Sequence, residues 1–414
     1  MNKKLTQNFP RVVMSVNILL FIIIFWSIFV FSNYFRFFPL SFDLMPKISI
    51  EINRFIPILP IHLNNIFYSI LIIFAGFGIG KIIFYTLFRK NLFIIKTFEE
   101  RIFFFVSIGL GFLSLLVLLF GYLGLLKKSL FLMIIILLVI PTLSSLIKNY
   151  KYIKMPKTNF FEKIIIGIIL YIMLINLFGA LTPETFYDSQ FYQLGIPAFW
   201  IQEGRIFVTK YLLQTFFPFN INMLYLLSIL LNNEISAKMI HYFLGVIICF
   251  GIYVFSKKYF SKTVGLIAVL IFYSIPTVSM ISWKTAIELG IGVFEFGCVF
   301  ALINFMNSID YKISNISCAD KSLFWLILSA ILCGFSLGCK YTSIVFCFLP
   351  CLISIFFICI SKKVKISLCL KYIFLFIIIS FIIASPWFVR NMIVTKGNPF
   401  FPFFYEKFGN MKIK

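Results

Sequence analysis

Eleven stretches of this chain are apolar enough, and long enough, to cross a bilayer: 12–33, 66–88, 102–125, 129–147, 163–182, 236–256, 263–282, 287–308, 322–339, 342–360 and 369–387. Crossing about 30 Å of hydrocarbon takes about 20 mostly apolar residues. Within lipid, every backbone N–H and C=O must find its partner inside the protein, so apolar segments of this length become helices. The expected fold is therefore all-α: a polytopic membrane protein of about eleven transmembrane helices, in a single transmembrane domain over 1–414. Composition agrees, with 61% apolar and 12% charged residues against about 25% charged in soluble domains. These values exclude the soluble and disordered classes. The first span is too long, and followed by too many others, to be only a cleaved signal, and suits a signal anchor.

The net charge of +23, from 37 Lys and Arg against 14 Asp and Glu, would suggest nucleic acid in a soluble chain. Here the basic residues fall mostly in short loops, as expected beside an anionic bilayer surface. With the N-terminus inside, segments 1–11, 89–101, 148–163, 257–262, 309–321 and 361–371 are cytoplasmic. They hold 21 basic residues against 15 in outward segments. Arg89-Lys90, Lys257-Lys258 and Lys362-Lys363 all fall on the inner side. This places the N-terminus inside, the C-terminus outside and no nucleic acid among the partners.

One segment interrupts the alternation of span and short loop. Residues 183–235 form a long outward loop, and loops of more than about 12–15 residues in a compact fold are usually functional or disordered. Its aromatic, Pro-punctuated texture argues for order. The short apolar run at 221–231 is too brief to span, and reads as a helix lying in the interface or packed on the bundle. Asp188 follows directly on a span end, among Phe and Tyr. There a partly desolvated carboxylate gains proton affinity and acts as a base, or holds a metal beside a phosphate leaving group. It equally suits the N-cap of a short helix starting at Ser189; the two roles are compatible.

Two further carboxylates, Glu288 and Glu295, lie seven residues apart on one face of the eighth span. Acids within spans face a cavity or a partner. Glu288 is level with the long loop, whereas Glu295 is two turns deeper and suits an internal ion pair or hydrogen bond. Lys340 is a lone cation at a span junction, either pairing with a phosphate as a point charge or snorkelling to the interface. Gly334 and Gly338 have the spacing of close helix packing. His241 reads as a satisfied polar contact, and His62 lies in an outer loop. Arg390 and Lys396 fall in a solvated tail, where they attract an anionic head group. The nine cysteines lie between Cys249 and Cys369 with no CxxC pair, and read as ordinary small lipid-buried side chains.

The run Leu181-Thr182-Pro183-Glu184-Thr185-Phe186-Tyr187-Asp188-Ser189-Gln190-Phe191-Tyr192-Gln193-Leu194-Gly195-Ile196-Pro197 resembles the opening of the first long outer loop of bacterial integral-membrane glycosyltransferases of the C superfamily. It is similar to the branch related to dolichyl-phosphate-mannose–protein mannosyltransferases and aminoarabinose transferases. Ala237 to Gly245, Gly334 to Thr342, and Pro386-Trp387-Phe388-Val389-Arg390-Asn391 with Thr395-Lys396-Gly397-Asn398-Pro399 resemble later segments of that family in the same order. The likeness runs from about residue 100 to about 409.

This resemblance implies a hexosyl- or pentosyltransferase of the bacterial cytoplasmic membrane. Its donor would be a polyprenyl-phosphate-linked sugar, and its acceptor a hydroxyl of a glycan, lipid or protein. Transfer would occur on the outer face with inversion, in the making of cell-envelope polysaccharide. Asp188 matches the family's catalytic aspartate. Glu184, Tyr187, Tyr192, Glu288, Lys340 and Arg390 are the substrate-binding candidates. No motif demands a cofactor, and a divalent metal stays open. Many relatives carry Tyr-His where this chain has Tyr192-Gln193, which removes a histidine role there, and Glu288 stands where relatives often have an aspartate. The chain stops soon after its Gly-Asn-Pro run where many relatives continue, so it is either a compact member or short at its C-terminus. The alternatives are a polysaccharide polymerase, which leans on outer-loop arginines where this loop offers only Arg205, and a lipid-linked oligosaccharide flippase or transporter. Transporters tend to show repeats and broken helices, and no repeat is found.

Overall fold

The computed structural model describes residues 16–37, 44–89, 94–149, 158–209, 211–309 and 316–408. Of the positions used above, Lys3, Lys4, Arg11, Lys90, Lys151, Lys154, Lys157 and Lys312 lie outside this set. Helices in chain order are α1 Val16–Phe37, α2 Leu44–Leu87, α3 Phe98–Tyr122, α4 Lys128–Asn149, α5 Phe160–Ala180, α6 Gly195–Gln202, α7 Asn220–Leu231 and α8 Glu234–Tyr259. They continue with α9 Lys262–Ser274, α10 Pro276–Ser282, α11 Glu288–Ser308, α12 Ile316–Leu337, α13 Leu349–Ser361, α14 Ile366–Thr395 and α15 Tyr405–Phe408. Of the described residues 83% are helical, and none of them is in a strand. It is a multi-pass, all-α membrane protein.

Where they are described, the expected spans are largely helical, but the count by length differs. Among the described residues eight helices are long and apolar enough to cross alone, and a bent pair, α9 with α10, makes a ninth if it counts as one span. The described apolar parts of α1 and α12 are shorter, at Ile24–Asn33 and Lys321–Leu337. Helix α12 nevertheless packs along α11 and returns the chain to the end where α11 begins.

Two prolines with the same covalent defect have opposite outcomes. Pro276 removes an amide from the helix, and the preceding residue is driven extended, with Ile275 at φ −60°, ψ 121°. The helix breaks there with a 74° bend, so 263–282 is not one straight span. Pro386 leaves the Ile382 carbonyl without its usual donor, but the Ser385 hydroxyl donates to that carbonyl at 2.7 Å. The helix therefore runs on to Thr395, beyond the expected end at 387. Similarly α2 reaches back to Leu44 through Pro57 and Pro60, so His62 lies within a helix rather than in an outer loop.

The 181–233 segment caps one end of the bundle. Leu126 donates its amide to the Gly204 carbonyl, and Ile206 donates to Gly121. This ties the segment to the turn between α3 and α4. Helix α7 is apolar nearly all round, and such a helix is buried. Its residues from Asn220 to Ser228 are inaccessible, and it packs against α3 and α8. It is held within the bundle rather than lying in the interface. Gly338 lets it approach: a Cβ there would collide with the Asn220 side chain, whose amide and backbone N–H bond Phe335 O (3.0 Å) and Gly338 O (2.9 Å). Gly334 likewise admits α14 at Ser380 and Ile383.

At the other end, basic side chains pair across helices. Lys257 meets Glu99 at 2.8 Å, Lys258 meets Glu100 at 2.6 Å and Lys262 meets Glu162 at 2.8 Å.

Candidate functional site

Glu184 is buried and fixes the start of the capping segment. Its Oε1 accepts the amides of Thr185 and Phe186 at 2.9 and 3.0 Å, and Oε2 accepts the Thr285 amide (2.6 Å) and hydroxyl (2.8 Å). Burial pushes this carboxyl up, but the hydrogen bonds and the charge of Lys238 outweigh it and hold it below the ordinary range. With both oxygens engaged by the chain itself, Glu184 positions its neighbours and does not present a free carboxylate to a substrate. Ser189 Oγ donates to Thr285 O at 2.8 Å, so 184–189 is laced to the loop that precedes α11.

Because its folded pKa lies below the unfolded one, Glu184 contributes stability above the unfolded value of about 4.3. That contribution is lost as pH falls through the folded value. Glu184→Gln is therefore expected to cost about 1–3 kcal/mol at neutral pH and to flatten part of the acid loss. Thermal unfolding of detergent-purified protein across pH would check this. An unchanged acid profile in the variant would refute the assignment.

Asp188 is half-buried and precedes a π-helical turn, Ser189–Leu194. Its backbone is already helical (φ −61°, ψ −36°) and its side chain makes no capping hydrogen bond. The N-cap role is thus not used, since a cap needs extended backbone to aim its side chain back at the first turn. The carboxylate lies beside Tyr192. Burial, then the charge of Asp188, raise the Tyr192 hydroxyl above its usual value, and Glu288 adds to this. Tyr187 is exposed and stacks on Phe191 (centroids 5.5 Å apart, 16°), forming an open aromatic face beside Asp188.

Glu288 is the first residue of α11, at the bundle end rather than inside the span. His241 sets that helix start: its Nε2 accepts the Leu289 amide at 3.2 Å while Nδ1 meets Ile281 O at 3.1 Å. These contacts satisfy the histidine as a neutral structural group. Lys340 is not a lone cation but pairs with Glu288 at 3.4 Å, with both side chains about half exposed. Such a pair is worth about 0–1 kcal/mol, so it costs little to separate. Asp188, Tyr192, Glu288 and Lys340 thus gather from three separate segments. Glu295 lies deeper and accepts from Ser336 Oγ at 2.9 Å.

Arg390 is buried within α14, not in a solvated tail, because the helix survives Pro386. Its Nη2 donates to Phe216 O (2.6 Å), Phe217 O (3.1 Å) and Asn391 Oδ1 (2.9 Å), and the guanidinium packs 5.0 Å from the Trp387 ring. Nη1 is buried without a hydrogen-bond partner. The groups that feel its charge are the Tyr122 and Tyr341 hydroxyls; no carboxylate among the described residues pairs with it. Lys396 caps α14 in the left-handed conformation, φ 58°.

Two of the sequence runs singled out above converge here. Tyr341 donates to Phe216 O at 3.3 Å, Asn391 donates to Phe216 O at 2.8 Å, and Trp387 Nε1 donates to Asn220 Oδ1 at 2.7 Å. Their shared work is to clamp residues 216–220.

Sequence reasoning passed over Lys284, whose ammonium lies 4.1 Å from the centre of the Phe186 ring. A lone lysine at a span end reads as an interface anchor, and only the fold brings it to this loop. Beside it, Trp283 borders an apolar cavity of about 590 Å³ between α1, α5 and the α9–α10 break, lined also by Trp26, Tyr171, Ile175 and Met280. No family model, curated protein or solved structure matches this chain.

Proposed function

We propose that this chain is a membrane glycosyltransferase that moves a sugar from a polyprenyl-phosphate donor to an acceptor hydroxyl at the bundle end capped by 181–233. The observation that carries this reading is the gathering of a half-buried Asp188 that caps no helix with Tyr192, Glu288 and the loosely paired Lys340. Asp188 takes the acceptor proton. The hydroxyl attacks the anomeric carbon from the face opposite the leaving group, and polyprenyl phosphate departs with the bonding pair. Lys340 exchanges Glu288 for the donor phosphate, and Nη1 of Arg390 offers a second positive donor. The exposed Tyr187–Phe191 pair suits a sugar face, and the apolar cavity beside Trp283 suits an isoprenoid chain. With the basic α8 end placed at the anionic inner leaflet, the site faces outward from the bacterial cytoplasmic membrane.

Purified protein incubated with a panel of labelled polyprenyl-phosphate sugars is expected to release lipid phosphate with at least one of them. The broken α9–α10 helix favours a second reading, passage of a lipid-linked substrate, since broken helices mark transport paths. Silence across the panel together with movement of such a lipid in proteoliposomes would replace the transferase reading.

A further inference from the structure

We propose that Cys298, Cys333, Cys347 and Cys351 form a binding site for a soft, thiophilic metal ion in the interior of the bundle. The four thiols come from α11, α12, the π-helical turn Ile344–Phe348 and α13, and all are buried. The Sγ atoms of Cys298, Cys333 and Cys347 lie within 4.8 Å of one another. Cys351 Sγ is 3.5 Å from Cys298 Sγ, and Cys347 Sγ is 3.9 Å from Cys333 Sγ. A tetrahedron of sulfurs about 2.3 Å from a central ion has edges of about 3.8 Å, and the two measured separations bracket that value. Cys298, Cys333 and Cys347 form the close trio, and Cys351, beside Cys298, supplies a fourth thiol that closes on the ion as it binds.

The local backbone is shaped to bring them together. A π-turn holds one residue more than an α-turn and frequently marks functional sites. It rotates the following face by about 100°, one residue of helical turn, and so sets where Cys347 and Cys351, four residues apart, point. The remaining described cysteines, Cys249, Cys339, Cys359 and Cys369, are buried too, so burial alone does not account for the cluster.

Cys298 lies ten residues into α11, about 15 Å from its start and thus near the middle of a bilayer of about 30 Å. In that low-dielectric setting the neutral complex is favoured. Each sulfur that ligates the ion does so as thiolate and releases its proton, so two thiolates neutralise a divalent ion and one neutralises a monovalent ion, with the remaining thiols protonated beside it. Thiols select zinc(II) or copper(I) over magnesium, calcium or manganese. A cavity of about 400 Å³ reaches Cys347 and Cys351, with the Glu295 carboxylate in its wall to attract an incoming cation. The cluster is separate from Asp188, so this proposal stands or falls independently of the transferase reading.

Full-length protein purified in detergent, then exposed to zinc(II) or to copper(I) and desalted, is expected to retain about one equivalent of one of these ions, and none of magnesium. Retention is expected to fall by about tenfold or more in Cys298→Ser and Cys351→Ser, and to be unaffected in Cys359→Ser. Should the serine variants fail to fold, cobalt(II) added to the wild-type chain serves instead. Tetrahedral sulfur-to-cobalt absorption bands support the site, and bands of an oxygen-bound octahedral ion overturn it. Wild-type protein that retains no more metal than Cys298→Ser, or whose mass reveals Cys298–Cys351 and Cys333–Cys347 disulfides, also overturns it.

Discussion

Asp188→Asn is expected to reduce sugar transfer by about 10²–10⁴-fold, the usual contribution of a positioned general base, while leaving the protein folded. The reason lies in what Asp188 does not do. Its side chain caps no helix and is only half-buried, so the near-isosteric amide removes a proton acceptor without removing a brace. Glu184, four residues earlier, is the contrasting case: it holds four hydrogen bonds, and Glu184→Gln should lower stability and transfer together. Comparing lipid-phosphate release with the thermal midpoint in both variants separates the two roles. Relief of the Asp188 charge should also bring the Tyr192 hydroxyl closer to its ordinary value, since that charge is the second cause of its rise after burial. Near-normal transfer in Asp188→Asn would take the base role away from this residue.

The helices were legible in the sequence because lipid leaves an apolar backbone few alternatives. Their ends were less so, because they depend on single side chains. Ser385 decides that α14 survives Pro386, while Pro276 has no such rescuer and α9 breaks. That one hydroxyl also moves Arg390 from an expected tail into a buried helix. Asp188 and Glu288 could be picked out from chemistry and spacing. Their surroundings could not, because the contacts that build the site are long-range: Trp387 to Asn220, Thr285 to Glu184, His241 to Leu289. Local periodicity carries no record of such pairings. The cysteines show the same limit, since a spacing with no CxxC gave no sign that α11, α12 and α13 would bring four of them together.

Arg390→Lys is expected to be costly in two distinguishable ways. Lysine keeps the charge but lacks the planar fork, and so cannot reach the Phe216 and Phe217 carbonyls and Asn391 at once. Each hydrogen bond from a charged donor is worth about 1.5–3 kcal/mol. Because Asn391 and Tyr341 still hold the clamp, a loss of about 2–4 kcal/mol is expected rather than unfolding. The second cost concerns ligand. The buried guanidinium faces the Tyr122 and Tyr341 hydroxyls and no carboxylate among the described residues, and its Nη1 makes no hydrogen bond, so a phosphate is the anion that this donor suits. Polyprenyl phosphate at about 100 times its dissociation constant should stabilise the wild-type chain by about 2.7 kcal/mol, and the lysine variant by clearly less. Sulfate alone should do little, because it lacks the hydrocarbon chain. An equal thermal shift in both proteins would move the phosphate away from α14 and leave Lys340, released from Glu288, as its partner.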